Sequence, residues 1–342
     1  MNEIAPTPLK PKDFASDQEV RWCPGCGDYA ILKAIQKTLA DIGAEPENTV
    51  FISGIGCSSR LPYYMATYGF HTIHGRAPAI ATGTKLANPE LDVWVITGDG
   101  DGFSIGGNHM LHVLRRDVDM QILVFNNEVY GLTKGQASPT SRVGMRSPST
   151  PLGSLDGPVN PCVFALAAGA RFVARSADTL QKQLSPLLAE AQAHKGASFV
   201  EILQNCIIYN DGVFNEVTDK KTAPEHTLIL EHGAPMVFGA EREKGLRVKP
   251  GGFGVEVVTL GDGIAESDLL VHDETNLDLA NHLARLTGPD FPTVLGVLYR
   301  VPGESYEARV HEQLDAARTE VEADPHADID ALLHDGPVWR ID

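Results

Sequence analysis

The sequence predicts an α/β fold: a doubly wound, mostly parallel sheet followed by an irregular C-terminal extension. Three observations carry that expectation. Between residues 20 and 210, stretches with helical spacing alternate with short strand-like runs, the pattern of a sheet covered by helices on both faces. The runs Val93–Thr97 and Gln121–Phe125 are apolar almost throughout, as strands buried on both sides must be. Glycine-rich turns follow the runs directly, at Gly54–Gly56 and Gly98–Gly100.

Taken in order, residues 1–20 read as an extended polar arm. Ala30, Ile31, Ala34, Ile35, Leu39 and Ile42 then recur at helical spacing, and Gly43 ends that helix. Residues 49–53 read as a strand. The stretch 54–83 is rich in glycine and aromatics without clean periodicity, so a structured loop is expected, with a short helix near 79–87. A strand at 92–97, a loop at 98–102 and a helix at about 105–115 come next, then a strand ending in Asn126-Asn127. About thirty residues rich in Gly, Ser, Thr and Pro follow; a loop that long in a compact domain is usually functional or mobile. A helix at 161–170, a strand near 171–175, a helix at 178–194 and a strand from Ser198 to Gln204 complete a domain spanning 21–215. In the extension, 216–342, the pattern weakens to strands at 254–260 and 293–301 and short helices.

Composition narrows the function. A formal charge of -17, from 28 basic and 45 acidic residues, argues against a nucleic-acid or anionic-membrane partner. There is no run of about 18 apolar residues, and the N-terminus lacks the apolar segment of a signal peptide, so the expected location is the cytoplasm. There the five cysteines, Cys23, Cys26, Cys57, Cys162 and Cys206, are not expected to form disulfides. Part of the acidic excess, at 318–333, reads as a solvated face.

The chemistry centres on Gly98-Asp99-Gly100. In an open parallel sheet, ligands bind beyond the carboxyl ends of the strands, and the strand at 92–97 delivers Asp99 there. A lone carboxylate repels a phosphate, whereas one holding Mg²⁺ that also binds the phosphate does not. Twenty-eight residues further on stands Asn127, the distance a strand–helix–strand unit takes to return to the same edge. Asn127 then offers a side-chain oxygen beside Asp99, and the Val129 carbonyl a third ligand. A bare GDG is most often only a turn. The chain contains a second, Gly261-Asp262-Gly263, with no strand and Asn pair in register behind it, and that copy reads as a turn.

Cys23 and Cys26 form a CxxC pair, which by itself suits a zinc site, a redox pair or an iron–sulfur cluster. A polar arm precedes it rather than a strand, and no second close pair completes a structural zinc site. A [4Fe–4S] cluster draws its thiolates from distant positions. Cys57 and Cys206 each follow a strand on the edge of Asp99, while Cys162 opens an apolar helix and reads as a buried thiol. Topology leaves both Cys206 and Cys162 open as the fourth ligand.

GDG with NN at this spacing resembles the thiamine diphosphate motif. The blocks WCPGCGDYAIL, GIGCSSRLPYYMATYGFHTIHGRA, TGDGDGFSIGGNHMLHVLRR and FNNEVYGLTKGQ, covering most of 21–142, are similar to the β subunit of 2-oxoacid:ferredoxin oxidoreductases, most closely the 2-oxoglutarate type. The resemblance implies the diphosphate-binding domain of the thiamine fold. It also implies Cys23, Cys26, Cys57 and Cys206 as cluster ligands, and Asp99, Asn127 and Val129 as Mg²⁺ ligands. Cofactor contacts are implied for Ile55, Gly56, Cys57, Ser58, His74, Gly75, Arg76, Gly98, Gly100, Asp101, Gly131 and Leu132. His74 is the implied catalytic residue, against a structural loop histidine. His71 is a weaker candidate, and Arg60, Arg76 and Lys134 are candidates for substrate carboxylate or phosphate.

The implied reaction is reversible decarboxylation of 2-oxoglutarate with coenzyme A, giving succinyl-CoA and CO₂, with electrons passing through the cluster to ferredoxin. The glutamate that activates thiamine comes, in this family, from a separate pyrimidine-binding domain. None is visible here, so an α subunit is expected, in an (αβ)₂ heteromer. The rival readings are a pyruvate or broad-specificity β subunit, and a non-catalytic Fe–S or zinc protein; the latter leaves GDG…NN unexplained.

Overall fold

The computed structural model describes residues 8–323 together with 333, 335–337 and 339. The expected acidic face at 318–333 therefore lies mostly outside the described residues. Within the arm, Pro11–Phe14 form a 3-10 turn that buries Phe14 completely, so this part of the arm is anchored where an extended polar segment was expected.

The chain then runs α1 (Asp28–Asp41), β1 (Thr49–Ser53), β2 (Tyr68–His71), α2 (Ala77–Ala87), β3 (Asp92–Gly98), α3 (Asp99–Phe103), α4 (Gly107–Arg116) and β4 (Met120–Asn126). After the long loop come α5 (Pro161–Ala167), β5 (Phe172–Ala177), α6 (Gln181–Ala193) and β6 (Ala197–Leu203). The remainder contributes α7 (Asn215–Thr218), α8 (Ala223–His226), β7 (Thr227–Ile229), β8 (Val237–Phe238), β9 (Lys244–Val248), β10 (Val255–Thr259), α9 (Leu277–Ala284), β11 (Thr293–Arg300) and α10 (Tyr306–Ala323).

The main sheet has the order β2-β1-β3-β4-β6-β5-β11-β7. All its pairs are parallel except β11 with β5. Successive strand residues point to opposite faces, and here each face meets its own core. Val93 and Val95 of β3, with Ile122 and Val124 of β4, pack with α2, α4, α5 and α9. Trp94, Ile96, Leu123 and Phe125 pack with α1 and α6 on the other side. This is the physical content of the doubly wound expectation.

Three local differences have clear causes. β2 lies inside the expected loop; all four of its residues are exposed at the sheet edge, so it carries no burial alternation to read. The turn expected at 98–102 winds into α3, and α4 begins two residues later than expected. The C-terminal extension is irregular for much of its length, but β11 and β7 complete the sheet edge, and β8–β10 form a small antiparallel sheet. The second GDG is a turn directly after β10, with Asp262 in left-handed backbone.

His194, just past α6, packs beside Phe172. Burial, reinforced by the Arg171 charge, lowers its pKa to about 4. An unfolded chain protonates histidine near pH 6.5. Between those values the unfolded state binds more protons, so stability falls as pH falls. Urea denaturation should show a loss between pH 7 and pH 5 that is smaller in a His194→Phe variant.

Candidate active site

The parallel register brings four strand ends to one edge: Ser53 pairs with Ile96, Gly98 with Phe125 and Asn126 with Leu203. The turns that follow enclose a cleft. Ile55, Gly56, Cys57 and Ser58 line it from β1, Gly98, Asp99, Gly100 and Asp101 from β3, and Asn127, Val129, Gly131 and Leu132 from β4, with His74 beside them. A larger cavity of about 550 Å³ lies beyond Asn126 and Thr140, and none of the expected site residues lines it.

Asp99 is buried, and burial raises its pKa against the opposing pull of Ser138 and Thr140. Both hydroxyls donate to Oδ2, Thr140 at 2.6 Å. No other side chain among the described residues hydrogen-bonds Oδ1. Ser138 and Thr140 come from the long loop, and no spacing in the sequence pointed to them. Thr140 Oγ1 also lies 3.0 Å from Asn126 Oδ1. Asn126 donates to Glu201, which accepts from the buried Arg175 at 2.6 Å and from the Cys162 thiol at 3.2 Å. Cys162 is thus committed to this buried pair.

Asp101 ties the walls together. It accepts from the Thr97 hydroxyl at 2.7 Å, from the Gly75 amide at 2.8 Å and from the Ile55 amide at 3.2 Å. His74 Nδ1 lies 2.7 Å from Asp101 Oδ1, but too poorly aligned to count as a hydrogen bond, so the contact is one of proximity. Gly75 has φ +68, and a Cβ there would meet the Gly106 backbone at 2.5 Å; only glycine fits. Arg76 does not line the cleft; its guanidinium donates to the Ile105 carbonyl at 3.2 Å and to the His74 carbonyl at 3.4 Å. Arg60 donates to the Arg21 carbonyl at 2.7 Å. His71 and Lys134 are exposed and do not line the cleft.

The cysteines gather beside it. The Trp22 indole donates to the Cys57 carbonyl at 2.7 Å, tying the CxxC segment to the β1 turn. A Cβ built on Gly131 would lie 3.5 Å from the Cys206 sulfur and 3.8 Å from the Cys57 sulfur. Burial raises the Cys26 pKa, and Asp28, Cys57 and Cys206 add to the rise. Cys57 is pushed up to about 11 by burial, then by Asp28, Cys206 and Cys23. Among the described residues, no three His, Cys, Asp or Glu side chains are grouped to hold a metal ion.

Asp28 is one of four lining residues that sequence reasoning missed, with Phe125, Tyr130 and Thr133, although it stands only two residues past Cys26. It is buried, and neither carboxylate oxygen has a hydrogen-bond partner among the described residues. Burial pushes its pKa up to about 7, with the nearby Cys26 thiol opposing and the Asp178 charge adding. Tyr130 holds the wall at Gly100: its hydroxyl donates to the Gly100 carbonyl at 3.0 Å, and any Cβ at Gly100 would strike its ring at 2.2 Å.

Residues 54–202 match the family model described as thiamine pyrophosphate enzyme, C-terminal TPP binding domain. A 2-oxoglutarate oxidoreductase subunit KorB from Mycobacterium tuberculosis is 51% identical over 338 residues, 98% of this chain and 89% of that protein. The chain belongs to the family of 2-oxoacid:ferredoxin oxidoreductase β subunits. A β subunit of that family from Aeropyrum pernix is 50% identical over 190 residues, 56% of this chain and 60% of that protein. A solved 2-oxoglutarate:ferredoxin oxidoreductase from Magnetococcus marinus, with 2-oxoglutarate, coenzyme A and succinyl-CoA bound, superimposes with a TM-score of 0.72. It is 34% identical, over 93% of this chain and 97% of that one. The β-subunit resemblance and the α/β thiamine fold expected from the sequence both hold, and the family is one of oxidoreductase subunits.

Removing the Asp101 carboxylate strands two amides and a hydroxyl in a buried site. Asp101→Ala should cost about 3 kcal/mol or more. His74→Ala, at a side chain 41% exposed, should cost less than about 1 kcal/mol. Urea denaturation of the two variants checks the contrast.

Proposed function

We propose that this chain is the β subunit of a 2-oxoglutarate:ferredoxin oxidoreductase, converting 2-oxoglutarate and coenzyme A to succinyl-CoA and CO₂ together with an α subunit. The observation that carries this reading is the meeting of Asp99, Asn127 and Val129 in one cleft that Cys57 also lines. Those three supply one carboxylate and two neutral oxygens, the hard donors Mg²⁺ prefers. The orphaned oxygens of buried Asp28 fit a bound group that supplies donors, since buried polar atoms in native proteins nearly always have partners. Thiamine diphosphate bound here would supply the carbanion chemistry that 2-oxoacid decarboxylation requires.

On this reading the residues divide the work as follows. Ser138 and Thr140 fix Asp99 through one oxygen and leave the other toward the cleft. Asp101 fixes the Ile55 and Gly75 turns, and so the height of His74 at the cleft wall. His74 is placed to hydrogen-bond a substrate oxygen. Tyr130 packs over Gly100 as a lid on that side.

For the cysteines, the reading is a [4Fe–4S] cluster on Cys23, Cys26, Cys57 and Cys206. At Cys26 and Cys57, burial and neighbouring negative charge oppose forming bare thiolates, and a cationic iron core would relieve that opposition. A single zinc ion with bonds of about 2.3 Å would draw its sulfurs to about 4 Å apart, whereas a cluster spreads its ligands more widely. A cluster beside the cofactor cleft suits one-electron transfer to ferredoxin. The (αβ)₂ assembly and the cytoplasmic location belong to the same proposal; no helix among the described residues is long and apolar enough to cross a membrane.

The chain purified alone should show no 2-oxoglutarate-dependent ferredoxin reduction, and adding the α subunit should restore it. Full activity without α would contradict the reading. In the complex, Asp99→Ala should lower turnover by about 100-fold or more and weaken Mg²⁺-dependent retention of thiamine diphosphate, in line with losing a metal ligand. Turnover of 2-oxoglutarate should exceed that of pyruvate side by side; the reverse order would favour the pyruvate type.

A further inference from the structure

Gln204 stands directly after β6 and is 1% exposed. Its carboxamide reaches two groups that the proposed function assigns to different cofactors. Gln204 Oε1 accepts from Asn127 Nδ2 at 2.7 Å. Gln204 Nε2 donates to the Asn205 carbonyl at 2.7 Å and to the Cys26 sulfur at 3.2 Å.

The orientation of both amides is fixed by backbone groups at the two ends. Asn127 Oδ1 accepts from the Val129 amide at 3.2 Å, so its nitrogen must face Gln204. The Asn205 carbonyl can only accept, so Gln204 must present its nitrogen there and its oxygen to Asn127. Turning either amide over would set donor against donor or acceptor against acceptor. The approach to the CxxC turn depends on Gly27, where a Cβ would lie 3.0 Å from Gln204 Cγ and 1.9 Å from Asp178 Oδ2. The Gly27 amide in turn donates to the Asn205 carbonyl at 3.2 Å, which closes this junction.

We propose that Gln204 is a positioning residue shared by the two cofactor sites: its oxygen orients Asn127 for the Mg²⁺-diphosphate, and its nitrogen donates a hydrogen bond to the cluster ligand Cys26. The inference rests on the reading that Asn127 and Cys26 are ligands. Partners that orient a metal ligand tune affinity as the ligand itself does. An N–H donated to a cluster sulfur stabilises the reduced cluster and raises its potential. One buried amide therefore sets the aim of a metal ligand on the cofactor side and the electron affinity on the cluster side.

The test uses the αβ complex purified anaerobically, as wild type, Gln204→Leu and Gln204→Glu. The readouts are iron content, cluster midpoint potential by EPR-monitored titration, and Mg²⁺ affinity in the presence of thiamine diphosphate. Gln204→Leu loses both contacts: the potential should fall, and Mg²⁺ should bind about 10-fold or more weakly. Gln204→Glu keeps an acceptor for Asn127 but sets a carboxylate oxygen against the Asn205 carbonyl and the Cys26 sulfur, so the potential should fall further than in Gln204→Leu, while Mg²⁺ affinity should fall less than in Gln204→Leu. This second variant also keeps the site polar where Leu compromises folding. An unchanged potential in both variants with iron fully retained would overturn the sulfur contact. Unchanged Mg²⁺ affinity in Gln204→Leu would overturn the role toward Asn127. Absence of iron from the wild-type complex would remove the cluster reading itself, and the proposal with it, before any variant is compared.

Discussion

The parallel pairing of β1, β3, β4 and β6 is the constraint on which the site depends. Parallel strands all release their next residues at one edge. Gly98 pairs with Phe125, so Asp99 lies one residue past that pair on its strand and Asn127 two residues past it on the neighbour. A slip of one residue would send every strand side chain to the opposite face. The separate cores on the two faces, one holding Val93 and Val95 and the other Trp94 and Ile96, forbid that slip. The same packing that stabilises the sheet therefore aligns the candidate ligands.

Buried polar groups then convert strand ends into a shaped cleft. Asp101 joins the turns after β1 and β2 to β3, and Asp99 draws Ser138 and Thr140 of the long loop inward. That loop has little regular structure of its own between β4 and α5, and these contacts give part of it a fixed place. Behind it, Thr140, Asn126, Glu201 and Arg175 form a continuous polar chain through the sheet. On the other side, Gln204 links Asn127 to the CxxC turn. Two acids on the same short helix thus differ in their surroundings: Asp99 lines the cleft, and Asp101 holds its walls together.

Much of this was legible in the sequence, for identifiable reasons. Residues 92–127 form a strand–helix–strand unit whose length is set by geometry, so Asp99 and Asn127 could be paired by counting, and Asp262 could be set aside. Cys57 and Cys206 could be placed because each follows a buried strand. β2 was hidden because an exposed edge strand needs no apolar alternation. The pairing of β11 against β5 joins residues over a hundred positions apart, and no local pattern announces such a partner. Ser138 and Thr140 sit in a stretch of similar small polar residues, where only the folded chain shows which hydroxyls turn inward. Asp28 precedes the periodic residues that begin at Ala30 and carries no spacing signal of its own, and its burial without partners became visible only in three dimensions.

The central claim is that one edge of this sheet carries both a Mg²⁺-thiamine diphosphate site and a four-iron cluster. The most direct measurement is the metal and cofactor content of the αβ complex after anaerobic purification. The account predicts a brown protein with about four irons and equivalent sulfide per β subunit on Cys23, Cys26, Cys57 and Cys206, together with one thiamine diphosphate and one Mg²⁺. A colourless protein carrying zinc and no thiamine would contradict it.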